Sequence, residues 1–179
     1  MRQTGATLAE LLVTLTIVGA LASIAVPALG NLGHSSHVSA VTNELLASIH
    51  LTRSEAIKRS GRAVMCPSAD GERCAASGPW SQGWIVFHDA NNNARADPGE
   101  EVVLARGSVP RGIRVTSKGT TAGYIAYAAD GSSRQPSGAL LGGTLTICSE
   151  TAARVVARDL VISLVGRART AMVTLKRCP

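Results

Sequence analysis

The sequence is poor in aromatic residues and lacks the residue arrangements typical of catalysis. Phe, Trp and Tyr make up 3% of the chain, which excludes a nucleic-acid surface built from many stacked rings. The histidines are scattered, and no Ser–His–Asp set, phosphate-binding glycine loop or pair of catalytic acids stands out. We therefore expect no enzymatic activity, no cofactor and no small-molecule substrate. The histidines are His34, His37, His50 and His88.

Charge is absent from a long stretch near the amino terminus. No Asp, Glu, Lys or Arg occurs between residues 11 and 43. The apolar run over residues 11–29 would span about 29 Å as a helix, which matches the hydrocarbon core of a bilayer. Arg2 and the amino terminus are the positive charges before it. The sequence therefore predicts one membrane span, with the amino end in the cytoplasm and the rest outside.

Glu10 stands at the edge of this run, where a carboxylate is costly in lipid and indicates a function. One alternative is a capping box, in which Thr7 and Glu10 satisfy free N–H groups at the helix start. Another is an ordinary secretory signal, because residues 20–22 and 23–25 place small side chains at cleavage-like spacing. The run is long for a signal, so the pattern favours a specially processed anchor over an ordinary signal or an ordinary anchor.

Gly5, followed by Glu10 five residues later and an apolar helix with Pro27, resembles the class III leader of type IV pilins and pseudopilins. The resemblance implies that a prepilin peptidase cuts after Gly5 and methylates the new amino terminus at Ala6, where the family usually has Phe. It also implies that Glu10 pairs with the amino terminus of a neighbouring subunit, since a buried carboxylate is tolerable when paired. Residues 1–5 are then a leader, and residues 6–29 are a transmembrane and filament-core helix.

The helical pattern continues over residues 30–62. Apolar residues recur there at spacings of three, four and seven, which predicts an amphipathic stripe that packs on a head domain. Glu55 and Arg59 lie four apart and predict a surface ion pair, and Gly61 is the predicted end of the helix. The stripe consists of Val38, Val41, Leu45, Ile49 and Ala56.

From residue 63 the periodicity changes to two, and short strand-like runs alternate with turn-rich pieces. Many short strands after one long helix predict an α+β fold with a β-sandwich-like head over residues 63–179, placed in the periplasm. The predicted strands cover residues 63–66, 84–88, 101–106, 113–117, 124–128, 143–148, 155–165 and 168–176.

Four cysteines in a segment placed outside the cytoplasm predict two disulfides rather than a metal site. Cys66 and Cys74 flank a turn-rich loop, which leaves Cys148 and Cys178 as the second pair. Closing that second, longer loop should stabilise the fold by roughly 3–4 kcal/mol. Free buried thiols are the alternative, and zinc is disfavoured because the close paired spacings it needs are absent.

An Asp/Asn-rich loop follows Trp80 and Trp84, which themselves predict core packing. Five of its residues match ligand positions of an EF-hand template. Ala94 replaces the template's glycine, however, and Arg95 places a cation among the ligands. These departures favour a polar loop whose side chains cap its own backbone, without a metal. The five residues are Asp89, Asn91, Asn93, Asp97 and Glu100.

The carboxyl-terminal part of the chain is strongly basic. Residues 102–179 contain eleven Lys and Arg against three acidic residues, and a one-sided basic surface suits a polyanion. Arg167 and Arg169 are two apart, so on a strand both point the same way. Gly166 allows a turn or bulge where a backbone can approach closely. The alternative is a set of solvated residues on an edge strand, which protects against aggregation.

Residues 166–169, Gly-Arg-Ala-Arg, resemble the Gly-Arg-x-Arg motif of FimT-type minor pilins, which is associated with DNA binding in natural transformation. Residues 51–59 and 80–101 resemble the same FimT/GspH branch. The resemblance implies a minor pilin of a type IV pilus, single-pass in the bacterial inner membrane, whose partners are other pilins, prepilin peptidase and DNA. The motif implies Gly166, Arg167 and Arg169 as DNA-binding residues, and we expect Lys176 and Arg177 to lie nearby and to join them.

Two alternatives remain open. One is a GspH-like minor pseudopilin of the type II secretion system, which acts in protein export and binds neighbouring pseudopilins rather than DNA. The other is an anchored periplasmic binding domain.

Overall fold

The computed structural model of the protein describes residues 7–76, 78–150 and 155–179. The side chains of residues 24–34 and 155–156 lie outside this description, as do the predicted leader, Gly5 and Ala6. One long helix, α1 (Leu8–Lys58), leads into two four-stranded antiparallel sheets. The architecture is therefore α+β, with two layers of strands in the head.

The first sheet has the strand order β3-β2-β1-β5, and the second has the order β4-β6-β7-β8. A short 3₁₀ helix, Trp80–Gln82, precedes β2. The predicted strands are all present, and the largest shift of an end is at β7, which stops at Ile162 because the chain turns there. The strands are β1 (Arg62–Pro67), β2 (Trp84–Asp89), β3 (Val102–Arg106), β4 (Ile113–Gly119), β5 (Ile125–Tyr127), β6 (Gly143–Ser149), β7 (Val155–Ile162) and β8 (Ala168–Leu175).

The start of α1 is set by a side-chain cap. The Thr7 hydroxyl accepts a hydrogen bond from the backbone N–H of Glu10 at 3.3 Å, which satisfies one of the free donors of the first turn. Near this start the apolar side chains are exposed, with Leu8 at 79% and Leu21 at 63%. In the part of the chain that is described, no helix combines the length and hydropathy required to cross a membrane.

The end of α1 differs from the expectation that Gly61 would stop the helix. Ser60 takes the left-handed conformation, with φ +50°, and the N–H of Gly61 bonds to the carbonyl of Ala56 at 3.1 Å. A Cβ at Gly61 would lie 2.7 Å from Nε2 of His88, so a larger residue here would require the His88 side chain to move.

Arg59 ties this helix end to the first sheet. Its Nε donates to Glu55 at 2.8 Å, as the four-residue spacing predicts, and its Nη1 donates to Glu101 at 2.6 Å. The bond from Arg59 lowers the pKa of the Glu101 carboxyl. The second partner, Glu101, lies 42 positions from Arg59, just before β3, so helical spacing could not predict it.

The main core lies between the two sheets and holds one face of α1. All five residues of the predicted stripe are buried there. Trp84 also belongs to this core, and its indole N–H donates to the Ser48 hydroxyl at 2.9 Å. Burial of this apolar face, at about 25 cal/mol per Å² removed from water, is what holds the helix on the sheets.

A second, smaller cluster covers the opposite face of the first sheet. Along β1, Ala63 and Met65 face the main core, whereas Val64 and Cys66 face this outer cluster. Tyr124 and Ala96 pack over it from loops. The strict alternation follows from the period of two in a strand and explains why β1 is apolar on both faces.

Candidate functional site

The β7–β8 hairpin carries the predicted basic motif and closes through a three-residue loop. The N–H of Gly166 bonds to the carbonyl of Ser163 at 2.8 Å, and the N–H of Ser163 bonds to the carbonyl of Arg167 at 3.0 Å. Gly166 has φ +81°, as the last residue of such a loop requires. This geometry fixes where Arg167 leaves the turn.

Gly166 is buried at this turn, and a backbone approaches it closely, as expected. Its carbonyl accepts a hydrogen bond from the Tyr127 hydroxyl at 3.0 Å. A Cβ on Gly166 would lie 2.8 Å from Cε1 of Tyr127 and 2.9 Å from the carbonyl oxygen of Gly131. The close approach here is made by the protein's own chain, and these contacts fix the turn from which Arg167 emerges.

Arg167 and Arg169 are both exposed and point away from the main core. Ala168 between them packs against that core, so alternation places both guanidinium groups on the outer face of the second sheet. Neither forms an ion pair with any residue that the structure describes. Because β8 is also an edge strand, the arrangement fits both a polyanion contact and protection of a sheet edge.

Strand register adds a third cation that the sequence motif does not contain. Lys118 pairs with Thr144, which pairs with Val161, which pairs with Arg169. Residues in one such row share a face of the sheet, so exposed Lys118 lies on the same outer face, about 14 Å from Arg169 across three strand spacings.

Asp159 is an acidic residue on this outer face, one row from Arg169. It pairs with Ala171 in β8 and accepts a hydrogen bond from the Thr146 hydroxyl at 2.7 Å. The carboxylate is therefore engaged with a neutral hydroxyl, and no ion pair joins it to either arginine.

Lys176 and Arg177 are not part of this group, which corrects the expectation that they lie nearby. Both are exposed, but they follow the far end of β8, about 23 Å along the strand from Arg169. The structure thus divides the predicted DNA-binding residues between two ends of one hairpin.

Both predicted disulfides are present, Cys66–Cys74 and Cys148–Cys178. The first closes a loop that Asp70 organises by accepting hydrogen bonds from the backbone N–H groups of Arg73 and Glu72. These bonds, together with one from the Ser68 hydroxyl, lower the pKa of Asp70 to about 2. The second disulfide joins the carboxyl terminus to β6.

The Asp/Asn-rich loop binds its own backbone. The Asp89 carboxylate accepts from the N–H groups of Asn93 and Ala94 at 3.0 Å each, and Glu100 accepts from that of Ala90 at 2.8 Å. Ala94 has φ +58°, so it takes the left-handed conformation without being glycine. Within the described ranges, no three His, Cys, Asp or Glu residues are grouped to hold a metal ion.

Glu10 lies in the first turn of α1 with its side chain exposed. The cleavage residues Gly5 and Ala6 fall outside the described residues, so the leader stays a prediction. Tyr127 and Lys118 were not identified from the sequence. The Tyr127 hydroxyl bonds to a residue 39 positions away, and Lys118 shares a row with a residue 51 positions away, so local spacing signals neither relationship.

Known proteins share this fold. The type IV minor pilin FimU of Pseudomonas aeruginosa superposes with a TM-score of 0.57 and 16% identity, over 81% of this chain and 97% of FimU. The minor pseudopilin EpsH of the Vibrio cholerae type 2 secretion system gives a TM-score of 0.51 and 11% identity, over 76% of this chain and 97% of EpsH. At such identities the likeness shows the fold alone.

Comparison with curated protein sequences finds no match. The family model described as type II transport protein GspH, however, matches residues 41–166. That match covers α1 from Val41 onward and every strand except β8, and it ends at Gly166, before Arg167. It is more than half of the chain. The protein therefore belongs to the GspH family.

Proposed function

We propose that the protein is a minor pilin of a type IV pilus, a structural subunit that also binds DNA through the β7–β8 hairpin. Membership of the GspH family and the fold shared with FimU and EpsH support the subunit role. In this proposal residues 6–29 anchor the subunit in the bacterial inner membrane, and the head lies in the periplasm until the subunit joins a filament with other pilins.

Processing by a prepilin peptidase is part of the proposal. Cleavage after Gly5 leaves Ala6 as a methylated amino terminus, and the Thr7 cap then places Glu10 in the first helical turn, close to that terminus. Glu10 is exposed in the single chain, as a group reserved for a neighbouring subunit should be. Amino-terminal sequencing of membrane-extracted protein tests the cleavage, and a start at Met1 or near Ser23 would contradict it.

The pairing role of Glu10 has its own test. Glu10→Ala should reduce recovery of the subunit in sheared filaments while leaving the head folded, because Glu10 lies at the far end of α1 from the head core. Glu44→Ala, which removes an exposed carboxylate further along α1, is the matched control. Normal incorporation of the Glu10 variant would remove the pairing role.

DNA binding rests on one observation, the exposure of Arg167 and Arg169 on a common face without ion-pair partners among the described residues. Arginine forks suit phosphate oxygens, so binding should tolerate any sequence. With Lys118 as a third contact, about three phosphates are engaged, which predicts a log–log salt slope near −3 on duplex DNA. One head should bind weakly, and several copies in a filament would add avidity.

A mobility-shift titration of the full chain in detergent, at two salt concentrations, tests this contact. Arg167→Gln with Arg169→Gln should weaken binding and flatten the salt slope by about two units. Lys176→Gln with Arg177→Gln is the matched control, because it removes the same charge about 23 Å away. Equal weakening by both double variants would show attraction to net charge and not to the hairpin.

A minor pseudopilin of a type II secretion system is the second candidate. It is supported by the description of the matching family and by the fold shared with EpsH. This candidate predicts that neither the wild-type chain nor its variants bind DNA, and that loss of the protein reduces export of secreted enzymes without loss of DNA uptake.

A further inference from the structure

A second group of basic residues lies at the end of the β7–β8 hairpin opposite its turn. Lys176 and Arg177 follow β8 and are exposed, and the Cys148–Cys178 disulfide holds them beside the end of β6. Exposed Arg111 belongs to the same end, because the carbonyl of Gly112 accepts from the N–H of Glu150 at 2.8 Å. We call Arg111, Lys176 and Arg177 the tail cluster.

The tail cluster keeps its charge available. Glu150, the acidic residue at this end of the sheet, forms an ion pair with Arg114. Within the described ranges, none of the three cations of the tail cluster has an ion-pair partner. The disulfide also prevents the tail from moving its charges elsewhere on the head. The cluster is thus a permanently basic end of the domain.

Contacts with α1 show which end of the head this is. The hairpin turn lies near the carboxyl-terminal end of α1, because Gly166 packs on Gly131, and Gly131 packs on Arg53 and Ile57. β7 extends from that turn for about 26 Å, and the buried stripe of α1 covers about 27 Å from Ala56 back to Val38. The far strand ends, with the tail cluster, lie further back along α1. Trp84 donates to Ser48 in the middle of the stripe, and Ser81, three residues before Trp84, accepts from Val109 and Val115 near the start of β4.

That end of the head is close to where the proposed membrane span finishes. From residue 29 to Val38, the first buried residue of the stripe, α1 rises about 14 Å. The headgroup layer of one leaflet fills about 5–8 Å of this distance. The remaining gap is comparable to the length of an arginine side chain and to a Debye length of about 8 Å at physiological salt.

We propose that the tail cluster binds anionic phospholipid headgroups on the surface of the membrane that anchors α1. This inference rests on the proposed membrane anchoring and is independent of DNA binding. Charge complementarity selects anionic over zwitterionic lipid, and the contact would hold the head down on the bilayer before the subunit enters a filament. Each cation near such a surface should raise the association constant of the head with the bilayer about fivefold.

Energy transfer between the head and the bilayer tests the proposal with the full chain. The protein is placed in nanodiscs of phosphatidylcholine alone, or of phosphatidylcholine with phosphatidylglycerol, each with a dansyl-headgroup lipid as acceptor. Its only two tryptophans, both buried in the head core, are the donors. The wild-type chain should show more transfer in discs with phosphatidylglycerol, and added salt should remove the difference.

Lys176→Gln with Arg177→Gln should lower the bilayer association of the head about 25-fold, which brings transfer down to its level in phosphatidylcholine. Arg167→Gln with Arg169→Gln removes the same charge at the other end and should leave transfer unchanged. Equal transfer in both lipids, or equal loss in both variants, would overturn the proposal. Failure of the chain to enter nanodiscs would contradict the anchoring itself, which is distinguishable from a chain that inserts but does not respond to lipid charge.

Discussion

The hydroxyl of Tyr127 donates a hydrogen bond to the backbone carbonyl of Gly166 at 3.0 Å, and this bond joins the two sheets of the head. Tyr127 ends β5 in the first sheet, whereas Gly166 belongs to the hairpin of the second. Both residues are buried, so the bond is shielded from water. It holds the turn from which Arg167 emerges.

Removing this hydroxyl should loosen the hairpin without unfolding the head. Tyr127→Phe leaves the Gly166 carbonyl without its donor and should cost about 1 kcal/mol of unfolding free energy. Hydrogen exchange of residues 163–167 should accelerate more than that of the rest of the head. Tyr124→Phe, at a half-buried tyrosine of the outer cluster, is the control. Similar losses in the two variants would argue against a special role for the bond.

The same tyrosine should make the head sensitive to alkaline pH. Burial raises the pKa of Tyr127 to about 12 from 10.0, and Arg53 opposes this in part. The folded state favours the neutral phenol, so this contribution to stability is complete below pH 10 and is lost as the pH rises through about 12. The difference in unfolding free energy between the wild-type chain and Tyr127→Phe should therefore shrink between pH 10 and about pH 12. Denaturant unfolding at several pH values measures it, and a constant difference would contradict the expectation.

Gly166 should tolerate no side chain. Gly166→Ala requires φ +81° in a non-glycine residue and places a Cβ 2.8 Å from Tyr127. Gly138→Ala is the matched control, because Gly138 has φ +84° but a Cβ added there would meet nothing within 4 Å. The conformational cost of about 1–2 kcal/mol is common to both variants. Because only Gly166→Ala also creates steric overlap, its unfolding free energy should fall by about 1–3 kcal/mol more. Thermal unfolding of the two variants decides this.

The two disulfides should differ in their contribution to stability. Cys148–Cys178 closes a sequence separation of 30 and Cys66–Cys74 a separation of 8. When a pair is replaced by alanine, loop-closure entropy predicts that the unfolding free energy falls by roughly 3–4 kcal/mol for Cys148–Cys178 and by about 2.5 kcal/mol for Cys66–Cys74. Urea unfolding of the two double variants compares them. A larger loss from the short loop would show that Asp70 and its backbone bonds dominate there.

Local sequence was sufficient for the elements of this fold. A charge-free apolar run and an amphipathic spacing predicted α1 and its buried stripe, and alternation of apolar and polar residues predicted every strand. These signals are local because the side-chain period depends on backbone geometry within a few residues. The number and spacing of cysteines predicted the disulfides, since a turn-rich loop brings Cys66 and Cys74 together and leaves one other pair.

Strand order and register could be determined only from the tertiary structure. They place Lys118 in the row of Arg169, bury Gly166 against Tyr127, and separate Lys176 and Arg177 from the hairpin turn. The sequence by itself therefore determined that this protein is a helix followed by a basic, disulfide-bonded β head. Only the fold decided which basic residues share a surface, because contacts between residues tens of positions apart depend on how the strands pair, which no local period encodes.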